Sequence, residues 1–263
     1  MSKSSIYYSI RKSIGLMTIL TIIVLIDPVF MYVCFKSIYQ ESECFPFYFS
    51  LFMSTGQSLS GIMTVLSTLI TIFIDPGSIE YAISPIFSSP FYYLSPDNRR
   101  FLPKCPTCGL PRVPRTHHCS RTGKCYIKMD HFCSFFGIVV ALRNHRPFIV
   151  TLTWLAINLI LTITSSTFAI FYSENQFWCI AYLISCFSIL ILISHDISFQ
   201  YEGIRHNVTH IERMQHDYSY NLGEEANLAD FYGNAMFRRL IPKPGSITEY
   251  RWGKSEVKFK EVV

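Results

Sequence analysis

The chain has 263 residues, of which 50% are hydrophobic, 16% aromatic and only 16% charged. A soluble domain carries about 25% charged residues; here the charges also crowd into a few stretches, which excludes one large soluble core and indicates a membrane protein. The formal charge of +5 fits anionic lipid rather than nucleic acid, because the basic residues flank the apolar runs.

Four apolar segments reach the ~20 residues that a spanning helix needs: 13–35, 47–74, 147–172 and 177–199. Lys3, Arg11 and Lys12 precede the first, which could imitate a signal peptide. The run exceeds the usual core of about 7–15 residues and no small-residue cleavage site follows it, so a span is expected. Asp27-Pro28 should kink that span or mark a polar contact inside a bundle. In the second span, Gly56, Gln57 and Gly61 mark one face for burial against another helix.

Between spans two and three, the stretch 104–125 reads KCPTCGLPRVPRTHHCSRTGKC. It has too little apolar content to build a core of its own. Bound zinc can hold such a segment, and Cys105-x2-Cys108 has the spacing of a zinc knuckle. Two further ligands are expected from His117, His118, Cys119 and Cys125. Next come Asp130, His131 and Cys133. A thiol at its free pKa is only a few per cent thiolate at neutral pH, and an imidazole oriented by a carboxylate can take its proton. The alternative reading makes His131 or Cys133 another zinc ligand.

Lys and Arg number three in the N-terminal tail, ten in 75–146 and nine from Gly203 onward, whereas the two short loops hold only Lys36. The positive-inside rule then puts both termini and 75–146 in the cytosol. Five of the nine cysteines lie within 105–133. In the cytosol such a cluster reads as metal-binding or catalytic rather than as a disulfide framework. Cys34, Cys44, Cys179 and Cys186 are expected to be small apolar packers.

The series Cys105-x2-Cys108-x8-His117-His118-Cys119-x5-Cys125-x4-Asp130-His131-x-Cys133 resembles the cysteine-rich domain of the DHHC palmitoyltransferases. Asp75-Pro76-Gly77 resembles that family's DPG motif. Residues 207–212, Asn-Val-Thr-His-Ile-Glu, resemble its TTxE motif, with His210 in place of the second Thr. Tyr220-Asn221-Leu222-Gly223 with Asn227 and Phe231-Tyr232-Gly233 resembles its C-terminal motif, and Asn144 and Phe148 match the entry to its third span. Asn207-Val208-Thr209 is also a glycosylation sequon, which a cytosolic location would leave unused.

The resemblance implies an all-α membrane protein of four transmembrane helices, with a small cytosolic zinc-binding domain between helices 2 and 3. The expected units are 1–74 (tail and helices 1–2), 75–146 (cysteine-rich catalytic domain), 147–202 (helices 3–4) and 203–263 (cytosolic tail). It implies a protein S-acyltransferase that moves a fatty acyl group from acyl-CoA to cysteines of membrane-associated proteins. Cys133 would be the nucleophile, His131 the base and Asp130 its orienting partner. The expected location is an endomembrane (ER or Golgi) or the plasma membrane. The alternatives are an inactive relative serving as a scaffold or chaperone, and an unrelated zinc-containing membrane adaptor.

The family's first zinc site falls on Cys105, Cys108, His118 and Cys125, all intact. Its second falls on Cys119, Thr122, Phe132 and Val139, three of which cannot bind zinc through their side chains. Phe132 stands where the signature has His, and Ser134-Phe135 replaces Pro-Trp. One structural zinc ion is therefore expected, with an apolar cluster of Phe132, Phe135, Phe136 and Val139 replacing the second.

Overall fold

The computed structural model describes residues 18, 44–82, 103–171, 176–234 and 239–245. The elements run α1 (Cys44–Phe73), α2 (Ile79–Ala82), β1 (His117–Cys119), β2 (Lys124–Tyr126), β3 (His131–Cys133), β4 (Ile138–Val140), α3 (His145–Ile170), α4 (Gln176–Arg205), α5 (His210–Met214) and α6 (Glu224–Tyr232). The chain is mostly helical, but two antiparallel hairpins, β1–β2 and β3–β4, interrupt the expected all-α pattern. The reason is local. Gly123 and Gly137 adopt φ of 70° and 64°, a conformation that closes tight turns and that side chains disfavour.

Among the described residues, three helices are long and apolar enough to cross a membrane: Tyr48–Phe73, His145–Ile170 and Gln176–Arg205. The expected span 13–35, with its Asp27-Pro28 kink, falls outside the described residues apart from Thr18. α4 runs six residues past the expected end at Phe199. Its 30 residues make a rod of about 45 Å, against a hydrocarbon core of about 30 Å. The helix is thus longer than an upright span needs, and its last turns, from Gln200 onward, carry polar residues.

α1 packs along α3, and α3 along α4. On α1, Ser60, Thr64, Ser67, Thr68 and Thr71 recur at helical spacing and are buried. Thr64, Ser67 and Thr71 each donate to the carbonyl four residues back, at 2.7–2.8 Å. Their hydroxyls are thus satisfied within the helix, and their small size lets α3 approach closely. Gln57 Nε2 donates to Thr162 Oγ1 at 3.0 Å, and Asn158 Nδ2 donates to Ser60 Oγ at 3.1 Å. The α-carbon of Gly56 faces Leu161 of α3. α4 instead exposes Phe177, Trp178, Ile184, Phe187, Ile191 and Leu192, the surface expected of a lipid-facing helix.

The cysteine-rich stretch builds no core from its own residues. Val113, Ile127, Cys105 and Cys125 pack with Ile79 and Ala82 of α2, so part of its apolar support comes from the segment just after α1. Asp75 makes that turn. Its Oδ1 accepts from the N–H of Gly77 and of Ser78, at 2.8 and 2.7 Å. Gly77 sits at φ 106°, and its carbonyl accepts from Ile127 N at 2.9 Å. Asn144, fully buried, accepts from Ala141 N and donates to Thr71 O and Val139 O. One amide thereby ties β4 and the start of α3 to the end of α1.

Candidate functional site

Two small sites meet here, one made by the knuckle and the first hairpin, the other by the second hairpin. In the knuckle, Cys105 N donates to Leu110 O and Gly109 N to Cys105 O, both at 2.9 Å. The turn brings Cys105 and Cys108 together. In the hairpin, His118 pairs directly with Cys125, so residues seven apart in sequence become neighbours. The ligand atoms of Cys105, Cys108, His118 and Cys125 all lie within 4.8 Å of one another. Cys108 Sγ is 3.4 Å from Cys125 Sγ, and Cys125 Sγ is 3.6 Å from His118 Nδ1. Ligands about 2.1–2.3 Å from a tetrahedral ion stand roughly 3.4–3.8 Å apart. Three thiols and an imidazole at these separations fit one metal ion.

The Cys105 thiol is lowered to about 6, chiefly because the backbone N–H of Cys108 donates to its sulfur. Burial and the neighbouring thiols push Cys125 the other way. A cation among the thiols would favour their deprotonated forms. His117, also a candidate ligand, is not in this group. Alternation along β1 turns it away from His118, and burial lowers its proton affinity.

Among the described residues, no second group able to hold a metal forms. Cys119 is buried with Tyr126, Met129, Val139 and Ala141, and Phe132 packs against them. Of the four residues expected to form an apolar cluster, Phe132 and Val139 pack in this one and the other two do not. Phe136 is buried in the core shared with α3 and α4, and Phe135 is 53% exposed. The turn between β3 and β4 breaks the strand alternation, so these rings no longer follow Phe132.

Within β3, alternation puts His131 and Cys133 on one face and Phe132 on the other. Cys133, half-buried, packs against the helix core. His131 Nδ1 donates to Asp130 Oδ2 at 2.7 Å, and its ring meets Phe148 of α3 edge-on at 5.4 Å. Asp130 is only 2% exposed, yet both its oxygens are satisfied. Oδ1 accepts from His210 N at 2.8 Å, and Oδ2 also accepts from Gln200 Nε2 at 3.0 Å.

Burial opposes the charge on Asp130, but nearby histidines and the hydrogen bonds from His131 and Gln200 hold its carboxyl well below the usual range. Burial likewise opposes a charged His131, and the bond to Asp130 together with contact to Cys133 overrides it, raising His131 to about 9. The signs fix the pH window. The raised histidine contributes stability in full below its unfolded value of about 6.5 and loses it as pH rises through about 9. The depressed carboxyl contributes above about 4 and loses it as pH falls through its own lower value.

The segments after α4 close over this site. Thr209 caps α5 in a reciprocal box with Glu212. Glu212 accepts from Arg115 Nε and Nη2, both at 2.6 Å, with both side chains buried. Arg115 also donates to Asn207 Oδ1 and O, and lies 4.4 Å above the Tyr220 ring. Asn207 is buried in this clamp, which leaves its sequon no room for a glycan. Asn227 donates to Arg205 O and accepts from Leu222 N. Glu212→Ala would strand a buried guanidinium and should cost about 3–5 kcal/mol. The pair Arg115→Met with Glu212→Leu should recover much of that loss. Thermal unfolding of the three proteins in detergent measures both effects.

The placing of Gln200 and His145 behind Asp130, and of Arg115 against Glu212, was not legible in the sequence. The one available signal was a pair of polar side chains, Gln200 and His145, beside otherwise apolar spans.

Residues 99–217 match the profile of the DHHC palmitoyltransferases. A palmitoyltransferase of Candida albicans is 42% identical over 53 residues, 20% of this chain and 14% of that protein. A palmitoyltransferase of Emericella nidulans is 31% identical over 122 residues, 40% of this chain and 23% of that protein. A probable protein S-acyltransferase of Arabidopsis thaliana is 27% identical over 201 residues, 69% of each chain. The chain thus spans less than a quarter of the two fungal relatives.

Proposed function

Because the chain belongs to the DHHC palmitoyltransferase family through residues 99–217, we propose that it is a protein S-acyltransferase working through an acyl-enzyme on Cys133. The observation that carries this reading is His131 beside Cys133 on one face of β3, with His131 bonded to Asp130 through Nδ1 and raised to about 9. The Cys133 thiolate attacks the carbonyl carbon of a fatty acyl-CoA thioester. The carbon–sulfur bond to CoA breaks, and the departing CoA sulfur takes the proton of the His131 imidazolium. A cysteine thiol of a membrane-associated protein then gives its proton to His131 and attacks the acyl-enzyme, releasing the Cys133 thiolate. Asp130 holds the imidazole in the Nδ1–H tautomer throughout.

The membrane setting has a physical reason. A buried CH2 is worth about 0.8 kcal/mol, so a palmitoyl chain favours hydrocarbon by roughly ten kcal/mol. In this reading, residues 75–146 and both tails face the cytosol, the segment 13–35 supplies a fourth span, and the membrane is an endomembrane or the plasma membrane. Cys105, Cys108, His118 and Cys125 would hold one zinc ion, whose chemistry is to bind their thiolates and fix the fold. With four protein ligands it keeps no open position for catalysis.

Incubation of the purified chain with labelled palmitoyl-CoA tests the function. A hydroxylamine-sensitive label mapped to Cys133 supports it, and absence of label there overturns it. Metal analysis of the same protein should find close to one zinc ion per chain. About two would mean that Cys119 recruits ligands outside its apolar cluster.

A further inference from the structure

Behind Asp130 stands a two-residue relay from α4 and α3. Gln200, in the polar last turns of α4, donates through Nε2 to Asp130 Oδ2 at 3.0 Å. Its Oε1 lies 2.8 Å from Nε2 of His145, the first residue of α3. A carboxylate only accepts, so the amide must turn its NH2 to Asp130 and its oxygen to His145. That arrangement requires His145 to carry its proton on Nε2. The opposite tautomer would draw the NH2 toward itself and leave an oxygen facing the carboxylate. His145 Nδ1 has no hydrogen-bond partner among the described residues, so the bond to Gln200 is the polar tether of this buried ring. Phe231 of α6 braces the ring edge-on at 5.1 Å.

We infer that Gln200 and His145 are positioning residues for acyl transfer: they fix the Asp130 carboxylate, and through it the His131 ring, toward Cys133. The inference rests on the function proposed above for its chemistry, but its geometry does not. Asp130 has little freedom left. His210 N occupies one oxygen, and His131 shares the other with Gln200. Loss of the Gln200 bond frees the carboxylate to rotate about its remaining donor on Oδ1. The imidazole then swings with it, and misplacement of about 1 Å can cost about 100-fold in rate.

The test uses the full chain in detergent, with Gln200→Met, His145→Phe and Gln200→Glu. Methionine keeps the length of the side chain without its hydrogen bonds, and phenylalanine keeps the ring against Phe231 without its N–H. Both should slow maximal acylation of Cys133 by palmitoyl-CoA about tenfold or more, with half-saturation changed by less than about twofold. Gln200→Glu is a pH-gated mimic. Its neutral acid can donate to Asp130 and accept from His145, whereas its ionised form repels Asp130. Its rate relative to wild type should fall about tenfold as pH rises from about 6 to about 9. Asp130, His131, and the cavity-lining Lys128 and Asp230 surround the bridge in both proteins, so their own titration largely cancels in the ratio.

Alkylation of Cys133 by iodoacetamide, followed by mass spectrometry, reads the same positioning without any acyl transfer. Slower alkylation in Gln200→Met and His145→Phe supports the inference even if wild type accepts no palmitate, in which case the proposed function alone fails. Normal acylation of wild type with unchanged rates and alkylation in both variants overturns the inference and leaves the function standing. So does a loss that merely tracks lowered unfolding temperature, or a flat pH ratio for Gln200→Glu.

Discussion

Cys133→Ser is expected to abolish palmitate labelling and acyl transfer while the folded fraction and zinc content stay unchanged. Serine is nearly isosteric, and Cys133 is half-buried at the end of a hairpin strand, so packing barely changes. What changes is the proposed nucleophile. A hydroxyl ionises far less readily than a thiol, and an imidazole raised to about 9 is too fully protonated at neutral pH to serve as a strong base for it. A loss of about 1,000-fold or more is expected, the scale on which removal of a covalent nucleophile acts. His131→Ala should lose about 100- to 10,000-fold, because the leaving sulfur loses its proton donor. Turnover of palmitoyl-CoA and metal content, measured on one preparation, decide the matter. Loss of zinc in Cys133→Ser would mean that Cys133 is a ligand rather than the nucleophile.

Cys105→Ala and His118→Ala are expected to lower folded yield and activity together. Structural zinc contributes on the order of 10–16 kcal/mol, comparable to the whole stability of a domain at about 5–15 kcal/mol. A proportional share for one ligand in four is about 3 kcal/mol, or about a hundredfold in the folded population of the segment. The segment has little to offset that loss, since its apolar cluster borrows Ile79 and Ala82 from outside and includes Cys105 and Cys125 themselves. The consequence should reach Asp130, because Arg115 sits between the knuckle and β1 and clamps α5 through Glu212. Protease resistance around residue 110, zinc content and acyl transfer should fall in parallel. A zinc-loaded, protease-resistant Cys105→Ala protein would move the ligand set elsewhere.

The spacing of chemistry-bearing residues was legible in the sequence. Cys105-x2-Cys108 dictates a knuckle, because two thiols on one tight turn can face one point. Asp130, His131 and Cys133 fall within four residues, close enough for a carboxylate, an imidazole and a thiol to act together, although no strand was expected there and only β3 puts His131 and Cys133 on one face. Hydrophobic run length gave three of the long helices to within a few residues at most ends, since transfer of some twenty apolar residues dominates any local preference. The resemblance to the family put Phe132 and Val139 at positions of its second zinc site, where their side chains cannot ligate.

The sequence could not say where that ion's space would go. Phe132 and Val139 close over Cys119 because β3 and β4 pair them directly, whereas Phe135 and Phe136 leave the cluster because a turn interrupts the alternation. Nor could it show that α4 continues past Phe199. Gln200 reads as the polar end of a span, and only the packing of α4 beside α3 brings its amide between Asp130 and His145, 70 and 55 residues away. Run lengths and local spacings are short-range properties, fixed by which residues share a turn, a face or a bilayer. Partners of a buried carboxylate are long-range. They depend on which helix ends converge on it, and that is decided when the apolar surfaces of the spans choose their neighbours.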